Sequence, residues 1–441
     1  MKQNLFLLSL TMSGIKNIEK EITLDFYKKT IDSNFNIDGY RVKAIYGENG
    51  SGKTGIVYGA YILKKLMVDS NYLGESDNQI FLREVINKKT KTLRLECDFY
   101  SQIHPFNNIY RYSICLSQNE AGRYVISEER LLTRKSTYAT SKFKEVYCVI
   151  DGTLECNVEG AMQEVLKRNT ANLLDKKSFL SVIFENNNLS GYEGSDLTYH
   201  IMNCWIFALT LITSFDQADR PELDYYIRES FKVIWNDDPL SKGEARTGSI
   251  YPKIDSFSGN KRLVNKDDFA DYEKDVAKLL KFVRLFKPDL QNIEIEKREN
   301  RSVYECSLLL DYGEYKISLD YESTGIVKLI RLFDLLSLAM DGKIVFIDEI
   351  DSNINDIYLS KLVEFFTLYG EGQLCFTTHN TSPMAVLKNQ KNAIDFLSCD
   401  NRIIPWKQSG NFSPENLYRH GMIENLPFNI EPETFLGILG E

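Results

Sequence analysis

Gly47-Glu48-Asn49-Gly50-Ser51-Gly52-Lys53-Thr54 satisfies the pattern G-x-x-x-x-G-K-[ST] of a phosphate-binding loop. The run before it, Val42 to Tyr46, reads as a short strand. The stretch from Gly55 to Leu66 carries Ile56, Ala60 and Leu63 at helical spacing. Strand, loop and helix in that order are the context the motif requires. Glycines let backbone N–H groups curl around phosphate oxygens where a Cβ would clash, and the helix start aims its positive end at the same anion. Gly47, Glu48, Asn49, Gly50, Ser51 and Gly52 then form the cradle. Lys53 reaches the β- and γ-phosphates, and the Thr54 hydroxyl holds Mg²⁺. The expected class is α/β, with a P-loop NTPase core.

Far downstream, Ile344-Val345-Phe346-Ile347-Asp348-Glu349 is an apolar strand that ends in two carboxylates. A strand lying beside the phosphate loop would deliver Asp348 to the metal, through water. Glu349, one residue further, would sit by the γ-phosphate and polarise the attacking water. Gln373 to Thr377 reads as the neighbouring buried strand, and His379 at its end would reach the γ-phosphate or that water. Ser323 is a candidate N-cap for the helix Gly325 to Met340, and Gly325 leaves backbone N–H groups open at its start. That is a second anion-seeking helix end.

Between these motifs the pattern alternates. Residues 5–12 and 22–26 read as strands, and 92–99, 109–116, 123–132 and 146–154 as an antiparallel meander. Residues 69–78 are polar and break the helical pattern. From 160 to 287 helices dominate: Met162 to Leu174, Phe179 to Asn186, Leu197 to Thr213, Pro221 to Trp235 and Asp267 to Phe286. Residues 236–262 read as a long exposed loop. Strands return at Ile293 to Lys297, Tyr304 to Leu310 and Tyr315 to Asp320, and Ser360 to Tyr369 reads as a helix. Three units are expected: 1–159, carrying the phosphate loop and β lobe; 160–290, a helical insertion; and 291–441, completing the core.

The chain has 441 residues, 43% hydrophobic and 26% charged, so a large core is affordable. A net charge of −9 does not indicate a general polyanion binder, so nucleic acid would need a local basic face. Lys253, Lys261, Arg262 and Lys266 are the modest cluster available. Eight scattered cysteines with no C-x-x-C pair, and four histidines, argue against zinc and for a reduced, cytoplasmic home. The apolar start, Leu5 to Leu10, is too short for a signal peptide, and the longest other apolar run, around Cys204 to Ile212, falls short of a membrane span.

The order of phosphate loop, short Ser-x-Gly signature, strand with Asp-Glu and then His resembles the ABC-type ATPase heads. More narrowly, the chain resembles the ABC-like, AAA-type ATPases of bacterial abortive-infection and overcoming-lysogenisation defence. Ile22-Thr-Leu-Asp-Phe26, Tyr110-Arg-Tyr112, Ile126-Ser-Glu-Glu129, Lys177-Ser-Phe-Leu-Ser181, Phe346 to Asp351 and Thr378-His379-Asn380 add to the likeness. The resemblance implies an ABC-type head with an antiparallel β lobe and a helical insertion. It implies a homodimer or higher homo-oligomer, with Ser323 and Gly325 contacting ATP on the partner protomer and Asp351 to Asn355 forming a dimer-contact loop. Glu322-Ser323-Thr324-Gly325 departs from the transporter signature, lacking its double glycine and Gln. Glu185 to Asn188 is the candidate region for a glutamine loop.

Two functions follow. In the first, ATP is hydrolysed with Mg²⁺ between two protomers, and the protein is a sensor or regulator in antiphage defence. Its effector, a nuclease or toxin, would be a separate protein, because Leu417 to Glu441 has no second acidic constellation. In the second, it is a DNA-binding repair or chromosome-maintenance ATPase. Neither requires a membrane.

Overall fold

The computed structural model describes residues 4–103, 106–156, 161–185, 196–215, 261–300, 303–407 and 412–423. In chain order, β1 (Asn4–Ser13) and β2 (Ile22–Asp25) pair, and β3 (Val42–Gly47) leads through the loop into α1 (Lys53–Val68) and α2 (Ser76–Val85). Five strands follow: β4 (Thr92–Ile103), β5 (Phe106–Gln118), β6 (Tyr124–Lys135), β7 (Lys144–Ile150) and β8 (Thr153–Cys156). Next come α3 (Ala161–Thr170), α4 (Phe179–Glu185), α5 (Asp196–Thr210) and β9 (Leu211–Ser214). Then β10 (Lys261–Asn265), α6 (Phe269–Arg284), β11 (Asn292–Asn300), β12 (Val303–Asp311) and β13 (Lys316–Ser318) precede α7 (Thr324–Met340). The chain continues with β14 (Ile344–Ile347), α8 (Asp356–Tyr369), β15 (Gln373–Thr377), α9 (Ser382–Leu387), β16 (Ile394–Leu397), β17 (Ile403–Pro405) and α10 (Pro414–Arg419).

Three sheets result. The core sheet runs β17-β16-β3-β15-β14-β9, parallel except for β17. The lobe sheet runs β2-β1-β4-β5-β6-β7-β8 and is antiparallel throughout. A smaller sheet has the order β10-β12-β11, with β13 on β12. Helix α1 lies between core and lobe and is buried almost all round, from Gly55 to Val68. That is why its apolar residues exceed one stripe. Gly59 lets it close on the lobe, because a Cβ there would stand 2.8 Å from Met12 Cε. The other face of the core sheet is covered by α6, α7, α8 and α9. β14 alternates between the two cores, Ile344 and Phe346 facing α1, Val345 and Ile347 facing α7.

The seam between core and lobe has a polar stitch. Leu7, at a register shift in β1, donates its N–H to Gln373 Oε1 at 2.7 Å, and Gln373 Nε2 donates to the Leu7 carbonyl at 2.9 Å. Inside the core sheet, Lys43 on β3 and Asp395 on β16 form an ion pair at 2.8 Å, their side chains 1% and 2% exposed.

Several expected elements differ. Leu197 to Thr213 is not one helix: α5 ends at Thr210, and Leu211–Ser214 pairs with β14 at the edge of the core sheet. Nothing polar separates the two, so hydrophobic period alone joins them. Ser76–Val85 is a helix that the polar start concealed, and β16 beside β3 was not foreseen. α8 begins at Asp356 rather than Ser360, capped by Asn355 accepting from the Ile357 N–H. The strand expected to Asp320 is β13 followed by a 3-10 turn, Leu319–Tyr321. Lys261–Asn265, partly in the expected loop, is a strand. Residues 216–260, including the helix expected from Pro221 to Trp235, lie outside the described residues.

Between α6 and α7, Asp334 lines a small cavity with Arg262, Tyr272, Asp275 and Phe333. Its Oδ2 has no hydrogen-bond partner among the described residues. Burial pushes its pKa up from 3.8 to about 6, with Arg262 opposing and Asp275 adding to the rise. A carboxyl whose pKa is raised by folding costs nothing below its unfolded value, and costs most once ionised above about pH 6. Asp334→Asn is therefore expected to stabilise the protein at pH 8, by up to about 3 kcal/mol, with the gain fading as pH falls towards 4. Urea melts at the two pH values measure it. A gain of the same size at both would count against a buried ionisable Asp334.

Candidate active site

The loop opens where β3 ends. Gly50 and Gly52 have φ of 80° and 111°, a region that other residues enter with strain. A Cβ on Gly47 would stand 2.7 Å from both Leu397 O and Ser51 Oγ, and one on Gly52 would stand 2.9 Å from Ile18 Cγ1. Ser51 is 2% exposed, and its hydroxyl has no hydrogen-bond partner among the described residues. A glycine-lined cradle with an orphaned buried hydroxyl fits a phosphate group. Lys53, first residue of α1, donates from Nζ to the carbonyls of Gly47 at 2.8 Å and Glu48 at 2.9 Å. Thr54 follows it, half-buried.

Asp348, Glu349 and His379 converge on this point. Burial lowers the Lys53 pKa, while the carboxylates of Asp348, Glu349 and Asp351 raise it. Burial also lowers His379 below its ordinary 6.5, with the Lys53 cation reinforcing the shift and Asp351 and Asp348 opposing it. The imidazole is thus neutral at pH 7 and can accept a proton or hydrogen bond. One feature of the sheet differs from expectation. The strand of Asp348 does not lie beside the phosphate-loop strand, because β15 sits between them.

That intervening strand supplies a residue the sequence reading passed over. Thr377 Oγ1 donates to Asp348 Oδ1 at 2.7 Å and accepts from the Glu349 N–H at 2.8 Å. One hydroxyl thus orients both carboxylate residues. Asp348 is 5% exposed, whereas Glu349 is exposed at φ 48°, a left-handed conformation held in place by this bond. Thr377→Val keeps the shape of the side chain and deletes the hydroxyl. It is expected to lower kcat about tenfold with nucleotide affinity nearly unchanged. Steady-state kinetics beside a binding titration separate the two quantities.

Other contributors come from distant parts of the chain. The turn after β1 closes one side: Asn17 Nδ2 donates to Gly50 O, and Ile18 packs on Gly52. Lys16 lies in the same turn at φ 46°, its ammonium 4.5 Å from the Tyr58 ring. Burial lowers its pKa and the Asp348 carboxylate raises it, so a second lysine faces Asp348. On the other side Cys399, in the turn after β16, donates from Sγ to Glu48 Oε2 at 3.4 Å. Asp351 accepts from the His379 N–H at 3.3 Å. Asp351 closes the Phe346 to Asp351 stretch noted in the sequence; the others belong to no local motif.

The second anion-seeking helix end is the start of α7. Ser323 occupies the N-cap of α7 but makes no side-chain cap bond, and its N–H is taken by Glu322 Oε2 at 2.6 Å. Gly325 sits against Asn353 O, 3.3 Å from where its Cβ would be. Ser323 is exposed. The helix meets the site through Lys328, whose Nζ donates to the Glu349 carbonyl at 3.3 Å. Most of the candidate glutamine-loop region, residues 186–188, lies outside the described residues. Of the basic cluster, Lys253 lies outside the described residues, Arg262 is 9% exposed with its guanidinium over the Tyr272 ring, and Lys266 pairs with Glu299.

A parallel sheet that delivers a glycine loop, its lysine, two carboxylates and a histidine to one point defines a P-loop NTPase core. Residues 168–384 match the family described as "AAA domain, putative AbiEii toxin, Type IV TA system". The match supports an AAA-type ATPase family linked to abortive infection and toxin–antitoxin systems. The matched span includes Ser323, Gly325, Asp348, Glu349 and His379, and the phosphate loop lies upstream of it. No curated protein matches the chain. Among the described residues, no helix is long and apolar enough to cross a membrane.

Proposed function

We propose that this protein is an ABC-type ATPase that binds ATP with Mg²⁺ between two protomers and hydrolyses it. The observation that carries the reading is the convergence of Lys53, Asp348, Glu349 and His379 at the mouth of one glycine-lined loop. Backbone N–H groups of residues 47–52 and the Ser51 hydroxyl hold phosphate oxygens, and Lys53 neutralises the charge that builds on the leaving β,γ-bridge. Bound Mg²⁺ supplies Lewis-acid polarisation of the phosphates, and Thr54 and Asp348 are the residues that would hold it. Among the described residues no cluster of three or more His, Cys, Asp or Glu forms a cage. Glu349 accepts the proton of the attacking water as its oxygen bonds to the γ-phosphorus, and ADP departs. Neutral His379 holds that water or the γ-phosphate.

Ser323, exposed, and Gly325, half-buried, are the residues assigned to the partner's ATP, which makes the homodimer the active unit. Opening and closing of that dimer would regulate a separate effector, a nuclease or toxin, in antiphage defence in the cytoplasm. The stretch between Lys53 and Asp348, the strand lobe and the helical insertion, is the region assigned to partner specificity. The alternative, a DNA-binding repair or chromosome-maintenance ATPase, would show strong and steeply salt-dependent DNA binding in a filter assay.

Lys53→Ala tests the loop. It removes the one cation held inside the cradle by its own carbonyls, and is expected to weaken ATP binding about a hundredfold. Isothermal titration measures this, and wild-type affinity in the variant would sink the phosphate-loop reading.

A further inference from the structure

We propose that the exposed face of α8 is a self-pairing surface, on which a second copy of this chain lays its own α8 antiparallel. The contact needs no nucleotide and uses none of the residues assigned to ATP, so it goes beyond the ATPase reading.

Among the described residues, five of the thirteen exposed large apolar side chains lie on this one helix of 14 residues. They are Ile357, 70% exposed, Tyr358, Phe365, Leu368, 66% exposed, and Tyr369. With 3.6 residues per turn they share about a third of the helix circumference, while Leu359, Val363 and Phe366 enter the core on the opposite side. The outer face of a solvated helix is normally charged. Here it holds Lys361 at its centre and the half-buried Glu364 at its margin. The patch continues onto the end of α6, where Phe286 meets Tyr358 edge-on at 4.7 Å and Leu285 is 69% exposed. A contiguous apolar patch of this kind marks a surface that another protein covers.

The order of residues along the face says which protein. Turned about a twofold axis between Leu362 and Val363, an antiparallel copy sets Ile357 opposite the second copy's Leu368, and Lys361 opposite its Glu364. Each match occurs twice, because a twofold contact repeats every pair. Lys361 and Glu364 already pair within the helix at 2.7 Å. Two such pairs face to face close a ring of four charges with alternating sign. A parallel copy in register would bring lysine against lysine and align the helix dipoles unfavourably. The face is its own complement, which a surface for an unrelated protein need not be. A helix of 14 residues is about 21 Å long and 10 Å across, too small to reach the about 800 Å² per partner of stable complexes. The pairing is therefore weak, with a Kd on the order of 10 µM, and it adds to an ATP-held dimer without replacing it.

Sedimentation equilibrium of the full chain without nucleotide tests this. The average mass should climb from one copy towards two between about 1 and about 100 µM. Phe365→Glu, at an exposed position, should abolish the climb. Lys361→Glu and Glu364→Lys should each raise Kd about tenfold or more, because each sets like charges opposite one another twice. An equal mixture of these two variants should return Kd to within about threefold of wild type, since every glutamate then faces a lysine across the contact. A repair that needs two different chains cannot arise from charges within one helix. A wild-type chain that stays a single copy at about 100 µM would overturn the proposal and leave the face to a different protein. Variants that pair as well as wild type, or a mixture no better than its components, would overturn it equally. Lys53→Ala keeps the failures apart, as it should lose ATP and still self-pair. ATP binding by a chain that never self-pairs would sink this inference alone.

Discussion

Glu349→Gln is expected to bind ATP with near wild-type affinity and to turn it over about 10²- to 10³-fold more slowly. The amide keeps the size of the carboxylate and the backbone bond to Thr377, so the left-handed turn at residue 349 survives. What it loses is the ability to take the proton from water. Because release of the sandwiched nucleotide would depend on hydrolysis, the variant should also accumulate as an ATP-locked dimer on size exclusion. Single-turnover kinetics and light scattering test both halves. Ordinary turnover would remove Glu349 from the role of base, while slow turnover by a monomer would separate hydrolysis from the two-protomer arrangement.

Lys43→Ala is expected to cost about 3–5 kcal/mol of stability, enough to unfold much of the population of a marginal protein. The lysine and Asp395 are both enclosed between neighbouring strands of the core sheet, so truncating one leaves a buried charge without a counter-ion. The double variant Lys43→Met, Asp395→Leu should recover most of the loss, because two apolar side chains of similar volume need no pairing. Urea denaturation compares the three proteins. A single variant as stable as wild type would mean that water reaches the pair. The pair also fixes register, as β16 can lie on β3 with its carboxylate against the ammonium in one alignment only.

The chemistry was more legible than the architecture. Gly47 to Thr54 and Asp348-Glu349 are local patterns whose spacing is dictated by a phosphate and a metal, so they stand out in the chain whatever surrounds them. The lobe strands could be read because alternation marks a half-buried sheet. Leu211–Ser214 could not, since a central helix and a buried parallel strand joined without a break are apolar in the same way. Its β-branched Ile212 and Thr213 were the one available hint. Thr377, Lys16 and Asn17 were hidden for a different reason. Each acts through contacts made 28 to 33 residues away or more, or through a backbone turn, and no periodicity encodes such pairings. Ser323 shows the reverse: its position at the helix start was readable, while the absence of a cap bond depended on where Glu322 turned.

Gln373 bears on how the two halves can move. Its side chain satisfies both backbone groups of Leu7 and so joins the lobe to the end of β15 opposite Thr377, the strand that steadies Asp348 and Glu349. The joint does not stand alone: Asn392 donates to the Asp25 carbonyl of β2, the Glu19 N–H donates to Asn401 Oδ1, and Phe26 meets Phe346 edge-on within one continuous apolar cluster. Pulling the sheets apart at Gln373 would leave two buried polar groups unpaired, about 1–3 kcal/mol each, besides exposing that cluster. A push on the lobe is then passed through β1 to the strand that carries Thr377, and so to the two carboxylates.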